Sequence, residues 1–489
     1  MKQGLCFIKS IELDRPSSND KRADYERLKE SLQTDELSLS LDLLKTLPGV
    51  LREKDFFLKP VLFHMDGRHI LLELFSEQCL GVAIDIGTTN LVASLYDFVT
   101  AEKLSVFTIQ NPQLSFGVDI LSRIHYAMVH NVEELQRALI EGINKLIISV
   151  CKDAGVVPEN IYAASVCANT VMTHFLLGLE VRYIPVEPYI PVVHCPEIIR
   201  AREIDIHINR EGLIYIFPNA GSYVGGDIIA GIIATELHRR ESTSILIDVG
   251  TNAEVVIGNR DWILVGAGAA GPALEGGIIS SGMMAEDGAI YRIDIDDRDR
   301  SIKYKTIKDT PPRGICGSGV IDLVAELYRT GIIDNRGRIK ERTDYIKEKE
   351  GHLFIEIADS IGITEREIEN FLRSKAAMFT SIYVLVRSIG LSFSDIERIY
   401  IAGALGSGVR VEKAQTLGML PLIDKDRFIS VGNSALKGAE MFLMDASLIA
   451  EIRDVQSRIT YHEMNTDRDF MMLFPSALFI PHAEPEMLS

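Results

Sequence analysis

The chain has 489 residues, 47% hydrophobic and 25% charged, with one Trp and a formal net charge of −18. That length supports two or three domains with separate cores, and the acidic excess opposes nucleic acid and anionic membrane surfaces as partners. No apolar run reaches the roughly 20 residues of a membrane-spanning helix, and the first residues lack a signal-peptide core, so a cytoplasmic protein is expected.

Residues 12 to 45 are charged and leucine-spaced, with Asp14, Arg15, Pro16, Ser17 and Ser18 as a turn before a helix expected from about Asn19 to Gln33. Between Phe56 and Leu74 the pattern alternates around a turn at Met65, Asp66, Gly67 and Arg68, which predicts a hairpin. Residues 1 to 30 read as a linker and 31 to 80 as a small α/β domain. From Gly81 to about residue 455, short β-branched runs alternate with helical segments, the pattern of α/β layers. Within this stretch Ile368, Phe371, Leu372, Phe379, Ile382, Val386 and Ile389 predict a core helix, packed on the strand that follows. Thr364 and Glu367 form its capping box and Gly390 its stop. The closing Phe470 to Pro481 segment, rich in Phe and Met, is expected to pack on the body.

Six cysteines, Cys6, Cys79, Cys151, Cys167, Cys195 and Cys316, form no C-x-x-C pair and have no His at zinc-ligand spacing. They read as reduced thiols, and no iron–sulfur cluster is expected in this chain. His194 and Cys195 are adjacent but lack a third and fourth ligand nearby.

Two segments share one design: Val82-Ala-Ile-Asp85-Ile-Gly87-Thr88-Thr89-Asn90 and Ile245-Leu-Ile-Asp248-Val-Gly250-Thr251-Asn252. Each is an apolar strand ending in Asp and then a Gly-Thr turn. Gly lets main-chain N–H groups face a phosphate, Thr adds hydroxyl donors, and Asp suits Mg²⁺, directly or through water. One such turn is common loop chemistry. Two, about one lobe apart, point to a nucleotide. A third element, Ile399 to Gly408, runs a strand into a glycine-rich turn whose Gly403, Ala404 and Gly406 let the backbone lie against a flat ligand such as adenine. A fourth, Gly317, Ser318 and Gly319, opens an amphipathic helix whose N–H groups can face the same ligand.

In this order the elements resemble the ATPase superfamily of actin, sugar kinases and heat-shock chaperones. The resemblance implies an α/β protein of two ribonuclease-H-like lobes, the actin-like ATPase fold, with ATP and Mg²⁺ in the cleft between them. The first lobe would span residues 81 to 240 and the second 241 to 489, including the C-terminal packing segment. Asp85 and Asp248 would serve the metal and the phosphates. In the superfamily's carbohydrate kinases a G-x-G-D-like segment supplies the catalytic base. Here Tyr223-Val-Gly-Gly-Asp227 occupies that place, so Asp227 either orients or deprotonates the attacking water or simply caps the apolar helix that follows.

Longer stretches are similar to one branch, the ATP-dependent reductive activators of corrinoid proteins. They are Asn111-Pro-Gln with Gly117 to Ile124, Ala168 to His174, Ala270 to Gly276, Gly314 to Asp322, and Lys375-Ala-Ala leading to Ile401-Ala-Gly-Ala404. The likeness runs from about residue 7 to 481. It implies a corrinoid protein as partner, returned from Co(II) to Co(I) by ATP-driven complex formation. Activators of this branch usually carry an iron–sulfur domain that this sequence lacks, so a separate low-potential electron donor is expected. Whether the chain forms a homodimer is left open. A small-molecule kinase and a noncatalytic nucleotide-binding scaffold are the alternatives, the first distinguished by a phosphorylated product and the second by assembly without turnover.

Overall fold

The hairpin expected around Asp66 and Gly67 sits at the centre of a small N-terminal sheet. Its strands are β1 (Cys6–Ile8), β2 (Leu37–Leu39), β3 (Val61–Met65) and β4 (Arg68–Glu73), in the order β1-β3-β4-β2. Asp66 and Gly67 have φ of 53° and 75°, the double left-handed turn that matches the twist of two antiparallel strands. Helices α1 (Asp24–Leu32) and α2 (Leu41–Glu53) close the sheet. Their Leu28, Leu32, Leu47 and Leu51 join Leu58, Leu62 and Leu71 in one core. The structure, a computed structural model, describes residues 3–34, 36–250, 253–268, 279–340, 343–349, 351–403 and 408–489.

Helix α1 begins later than Asn19 because the Asp20 carboxylate is already engaged. It accepts from the Arg22 backbone N–H at 3.2 Å, from Arg22 Nε at 3.0 Å and from the buried Arg27 Nη1 at 2.5 Å, which holds the turn open. Much of the stretch read as a linker is therefore folded, since β1 pairs with β3 and Arg27 anchors α1.

By its internal contacts the chain divides into two units, Met1–Ala234 with Ala435–Ser457, and Thr235–Ser434 with Arg458–Ser489. In the first, β5 (Leu80–Ile86), β6 (Asn90–Asp97), β7 (Lys103–Gln110), β8 (Ile161–Ala168), β9 (Ile199–Arg200) and β10 (Leu213–Ile216) form a sheet in the order β9-β10-β8-β5-β6-β7. The strands β5, β6 and β7 are an antiparallel meander, while β8 and β10 run parallel to β5. This is the ribonuclease-H-like order. Helices α3 (Ile120–Val129), α4 (Val132–Ala154), α5 (Thr170–Leu177) and α6 (Gly226–Thr235) complete the lobe. Ala435–Ser457 returns to it, where Gly438 lies so close to the Ala230 carbonyl of α6 that no side chain would fit.

The second unit repeats the plan. Its strands are β11 (Ser244–Val249), β12 (Ala253–Gly258), β13 (Ile263–Gly268), β14 (Ala289–Ile295, in a separate small sheet), β15 (Arg398–Gly403), β16 (Phe428–Gly432) and β17 (Ile459–His462), the main sheet running β16-β15-β11-β12-β13-β17. Again the first three strands are antiparallel and the next two parallel to the first. Both leading strands, β5 and β11, are buried at every residue except the Asp one place from the end. A strand covered on both faces needs an unbroken apolar run, and each fully buried Ile, Val or Leu contributes roughly 1.5–3 kcal/mol relative to exposure.

Helix α7 (Gly317–Arg329) and helix α8 (Glu365–Ser388) pack in this second core, followed by α9 (Val411–Thr416) and α10 (Arg468–Ala477). The Thr364–Glu367 capping box is present in both directions and Gly390 has φ 74°, so start and stop follow the sequence. Helix α8 lies against α10 and, on the sheet, against β13 and β12 rather than on β15, the strand after it. In the closing segment Phe470, Leu473 and Phe474 pack on the core, while Met471 and Met472 face solvent.

Candidate functional site

In the first unit the parallel pairing of β5 with β8 sets Asp85 beside Cys167. The Cys167 thiol lies 3.8 Å from Asp85 Oδ1 and 3.6 Å from the Ile84 carbonyl oxygen. Burial pushes this thiol's pKa well up, and the Asp85 and Asp227 carboxylates push it further. Both acids thus act on one point, although Asp227 comes from α6, far along the chain. Two carboxylates gathered at the end of a buried strand suit a hard divalent cation such as Mg²⁺.

The glycines before Asp227 explain how it gets there. A side chain at Gly225 would overlap Asn169 Cα and stand 2.6 Å from Asp227 Oδ1, and one at Gly226 would strike Phe217 at 2.7 Å. Asp227 lies in the first turn of α6 and accepts the Ile228 N–H at 2.8 Å. An N-cap side chain accepts from the N–H two or three residues on, so this is not the ordinary cap geometry. Asn169 caps α5 through the Met172 N–H at 2.9 Å and points its amide at Thr88 Oγ1, 3.4 Å away. The Gly87 and Thr89 carbonyls are tied to Asn111, and Arg123 reaches the Thr88 carbonyl between them. Asn90 opens β6, and its carbonyl oxygen stands 2.8 Å from where a side chain on Gly87 would begin.

In the second unit Asp248 pairs in register with Ala402, and Val249 with Gly403. Gly403 has φ +69°, and a methyl there would overlap the Val249 carbonyl oxygen and come within 2.6 Å of Asp248 Oδ1. The late glycine turn therefore begins directly on the Asp248 carboxylate, with Gly250 following β11. Gly317, Ser318 and Gly319 form the first turn of α7, whose N-cap Cys316 makes no side-chain cap bond. Gly319 crosses the Ile290 carbonyl of β14 too closely for a side chain. Gly408 reaches the same place, since a side chain on it would begin 3.8 Å from Ser318 Oγ.

Arg410 fixes this junction. It donates to Asp294 Oδ1 at 2.6 Å, to the Ile293 carbonyl at 2.6 Å, and to Asp322 of α7 at 3.1 and 2.5 Å. Lys413 of α9 meets Glu326 one turn further along α7. Burial raises the Asp322 carboxyl pKa against the lowering effect of Arg410, whereas Glu326 is held down to about 2 by Arg329 and Lys413 despite burial. Thr251, Asn252, Ala404, Gly406 and the Ala270 to Gly276 stretch lie outside the described residues.

On the reading of Gly403 as part of a nucleotide-binding turn, Gly403→Ala is expected to weaken nucleotide binding about tenfold, or roughly 1.4 kcal/mol, by displacing Asp248. Titration with a fluorescent ATP analogue measures this. Wild-type affinity in a folded variant would remove Gly403 from the site.

His194 and Cys195 are used locally, His194 Nδ1 facing Asn219 Oδ1 at 2.7 Å and Cys195 Sγ facing Gln456 Oε1 at 3.0 Å. Among the described residues no three His, Cys, Asp or Glu side chains gather as a metal-binding group. Asn111, Arg123, Asn169 and Arg410 were not singled out as site residues by sequence. A charged residue in an amphipathic helix ordinarily faces water, so nothing in the spacing around Arg123 marks it as buried.

Two like sheets, each sending an Asp and a Gly turn from the end of its first strand, define the ATPase class that includes actin, sugar kinases and heat-shock chaperones. The chain belongs to the RACo family of reductive activators of corrinoid proteins. The family's C-terminal ASKHA domain matches residues 242–489, its middle region 80–240 and its linker region 6–77. A corrinoid activation enzyme, RamQ, of Eubacterium limosum is 33% identical over 413 residues, covering 80% of this chain and 68% of that protein. The reductase of the Co(II) methylated-amine-specific corrinoid protein of Methanosarcina barkeri is 26% identical over 416 residues, covering 78% and 73%. A solved reductive activator for a corrinoid, iron–sulfur protein superposes with a TM-score of 0.95 at 38% identity, over 100% of this chain and 81% of that one.

Proposed function

We propose that this protein is an ATPase that reactivates a corrinoid protein, returning its cobalt from Co(II) to Co(I) with one electron from a separate low-potential donor. The observation that carries the reading is the likeness along the whole chain to a solved activator of this kind. Asp85, Gly87, Thr88, Thr89 and Asn90, and likewise Asp248, Gly250, Thr251 and Asn252, bind phosphates and Mg²⁺. Gly403, Ala404 and Gly406, with Gly317, Ser318 and Gly319, take the rest of the nucleotide. Bound Mg²⁺ would neutralise charge on the phosphate oxygens. Asp227 orients or deprotonates the attacking water, a role supported by its Oδ1 lying with Asn169 and the Ala168 carbonyl around Gly225, at the end of the strand that pairs with Asp85's own.

The energetic logic is that Co(I) is uphill for ordinary cellular donors, and weakening an axial ligand on Co(II) brings the couple within reach. A shift of about 30 mV corresponds to roughly 0.7 kcal/mol for one electron, a small fraction of what ATP hydrolysis supplies. The work is assigned to the cytoplasm, and no helix among the described residues is long and apolar enough to cross a membrane. The test mixes the protein with candidate corrinoid proteins in the Co(II) state, a low-potential reductant and Mg–ATP. Appearance of Co(I) absorbance that depends on ATP is expected. No ATP-dependent change with any partner, together with phosphorylation of a small molecule, would replace this reading by a kinase.

A further inference from the structure

We infer that Arg123 is the positioning residue of the first phosphate-binding turn: it sets the direction of the Thr88–Thr89 peptide from behind and places a positive charge beneath the bound phosphate. The inference rests on reading Asp85 to Asn90 as that turn.

Arg123 lies on α3 and is fully buried. Its guanidinium donates to the Thr88 carbonyl at 2.6 Å, the Gly117 carbonyl at 2.9 Å and Gln113 Oε1 at 3.3 Å, and lies 3.7 Å from Met172 Sδ. Every one of these acceptors is neutral. Asp119, whose carboxylate caps α3 through the Ser122 N–H at 2.7 Å, acts on the guanidinium through space. Burial lowers the Arg123 pKa to about 10, so the charge persists at neutral pH. A buried cation without a bonded counter-ion is costly, and an arriving phosphate offsets that cost.

The direction of the turn follows from peptide geometry. In a planar trans peptide the C=O and the next N–H point opposite ways. Asn111 Nδ2 holds the Gly87 carbonyl at 2.8 Å, and Arg123 holds the Thr88 carbonyl. The N–H groups of Thr88 and Thr89 are therefore each turned away from the side chain that pins the preceding carbonyl. The Asn111 N–H also takes the Thr89 carbonyl at 2.8 Å. Asn111 and Gln113 are themselves fully buried, and Gln113 is fixed by the Leu135 carbonyl at 2.9 Å, so the support beneath the turn is rigid. A guanidinium is suited to this because its planar fork reaches several carbonyls at fixed angles, which an ammonium cannot do.

The experiment compares binding of the Mg²⁺ complex of a nonhydrolysable ATP analogue with binding of adenosine, by calorimetry, in wild type, Arg123→Met and Arg123→Lys. Arg123→Met is expected to weaken the triphosphate about tenfold and adenosine less than about twofold, the size of losing one charge-assisted contact. Arg123→Lys, which keeps charge without the fork, falls between. If Arg123→Met does not fold, Arg123→Lys decides alone, by a loss of about threefold or more confined to the triphosphate. A folded variant that binds the triphosphate like wild type overturns the inference, as does an equal loss for adenosine. Wild-type protein that binds neither ligand would instead bring down the reading of the turn itself.

Discussion

Asp85→Ala and Asp248→Ala are each expected to cut ATP hydrolysis about a hundredfold or more, while leaving the folded protein intact. Each Asp is the one half-buried residue of an otherwise buried strand. Their methylene groups therefore add little to the cores that hold β5 and β11. On the proposed reading the variants lose an oxygen ligand for Mg²⁺, direct or through water, and the charge that holds it, and two orders of magnitude correspond to roughly 2.7 kcal/mol of transition-state stabilisation. Phosphate release under saturating Mg–ATP measures the effect, and circular dichroism checks the fold. Asp227→Asn should behave differently, sparing nucleotide binding and slowing turnover, since it removes a proton acceptor and keeps the shape. Wild-type turnover in Asp227→Asn would leave that residue with its helical first turn alone.

Lys375→Met is expected to destabilise the second unit by about 3 kcal/mol or more, although Lys375 is nowhere near either acidic turn in sequence. The side chain is fully buried on α8, and its ammonium donates to the carbonyls of Ala477 at 2.7 Å, Phe479 at 2.8 Å and Pro481 at 2.6 Å. Methionine fills the volume but leaves all three acceptors unpaired. For a domain of this size the melting point should fall by roughly 6–12 °C, read by calorimetry. Hydrogen exchange should rise first in the closing segment.

The same residue gives a pH signature. Burial draws the Lys375 pKa from 10.5 down to about 7, opposed by three carbonyls that only the charged form can satisfy together. With the folded pKa below the unfolded one, the unfolded chain binds more protons between those values. Wild type should therefore gain stability as pH rises from about 7 toward 10.5, and Lys375→Met should lack that slope. A slope common to both proteins would assign it to other groups.

The strands bearing Asp85 and Asp248 were legible because a doubly covered strand must be apolar throughout, which makes a lone acid before a glycine conspicuous. The capped helix after Thr364 was legible for a similar local reason, and so was the hairpin at Asp66 and Gly67. Long-range closure was not. Asp20 looks like part of a helix until Arg27 claims its carboxylate, and the β1 strand of the N-terminal sheet finds its partner only in β3. Arg123 and Arg410 read as surface charge in their own windows. The burial of Arg123 and the half-burial of Arg410 depend on carbonyls and carboxylates presented by other parts of the fold, Thr88 and Gly117 for the one, Ile293 and Asp322 for the other.

The sulfur of Cys167 has a practical side. Pressed between apolar walls and two acids, it stays in the protonated form at physiological pH, and only a thiolate attacks electrophiles or oxidants at useful speed. The thiol is also fully buried, so a covalent reagent aimed at this strand end meets a nucleophile that is both enclosed and protonated, and chemical probes are better designed to compete for the neighbouring acids than to capture the sulfur.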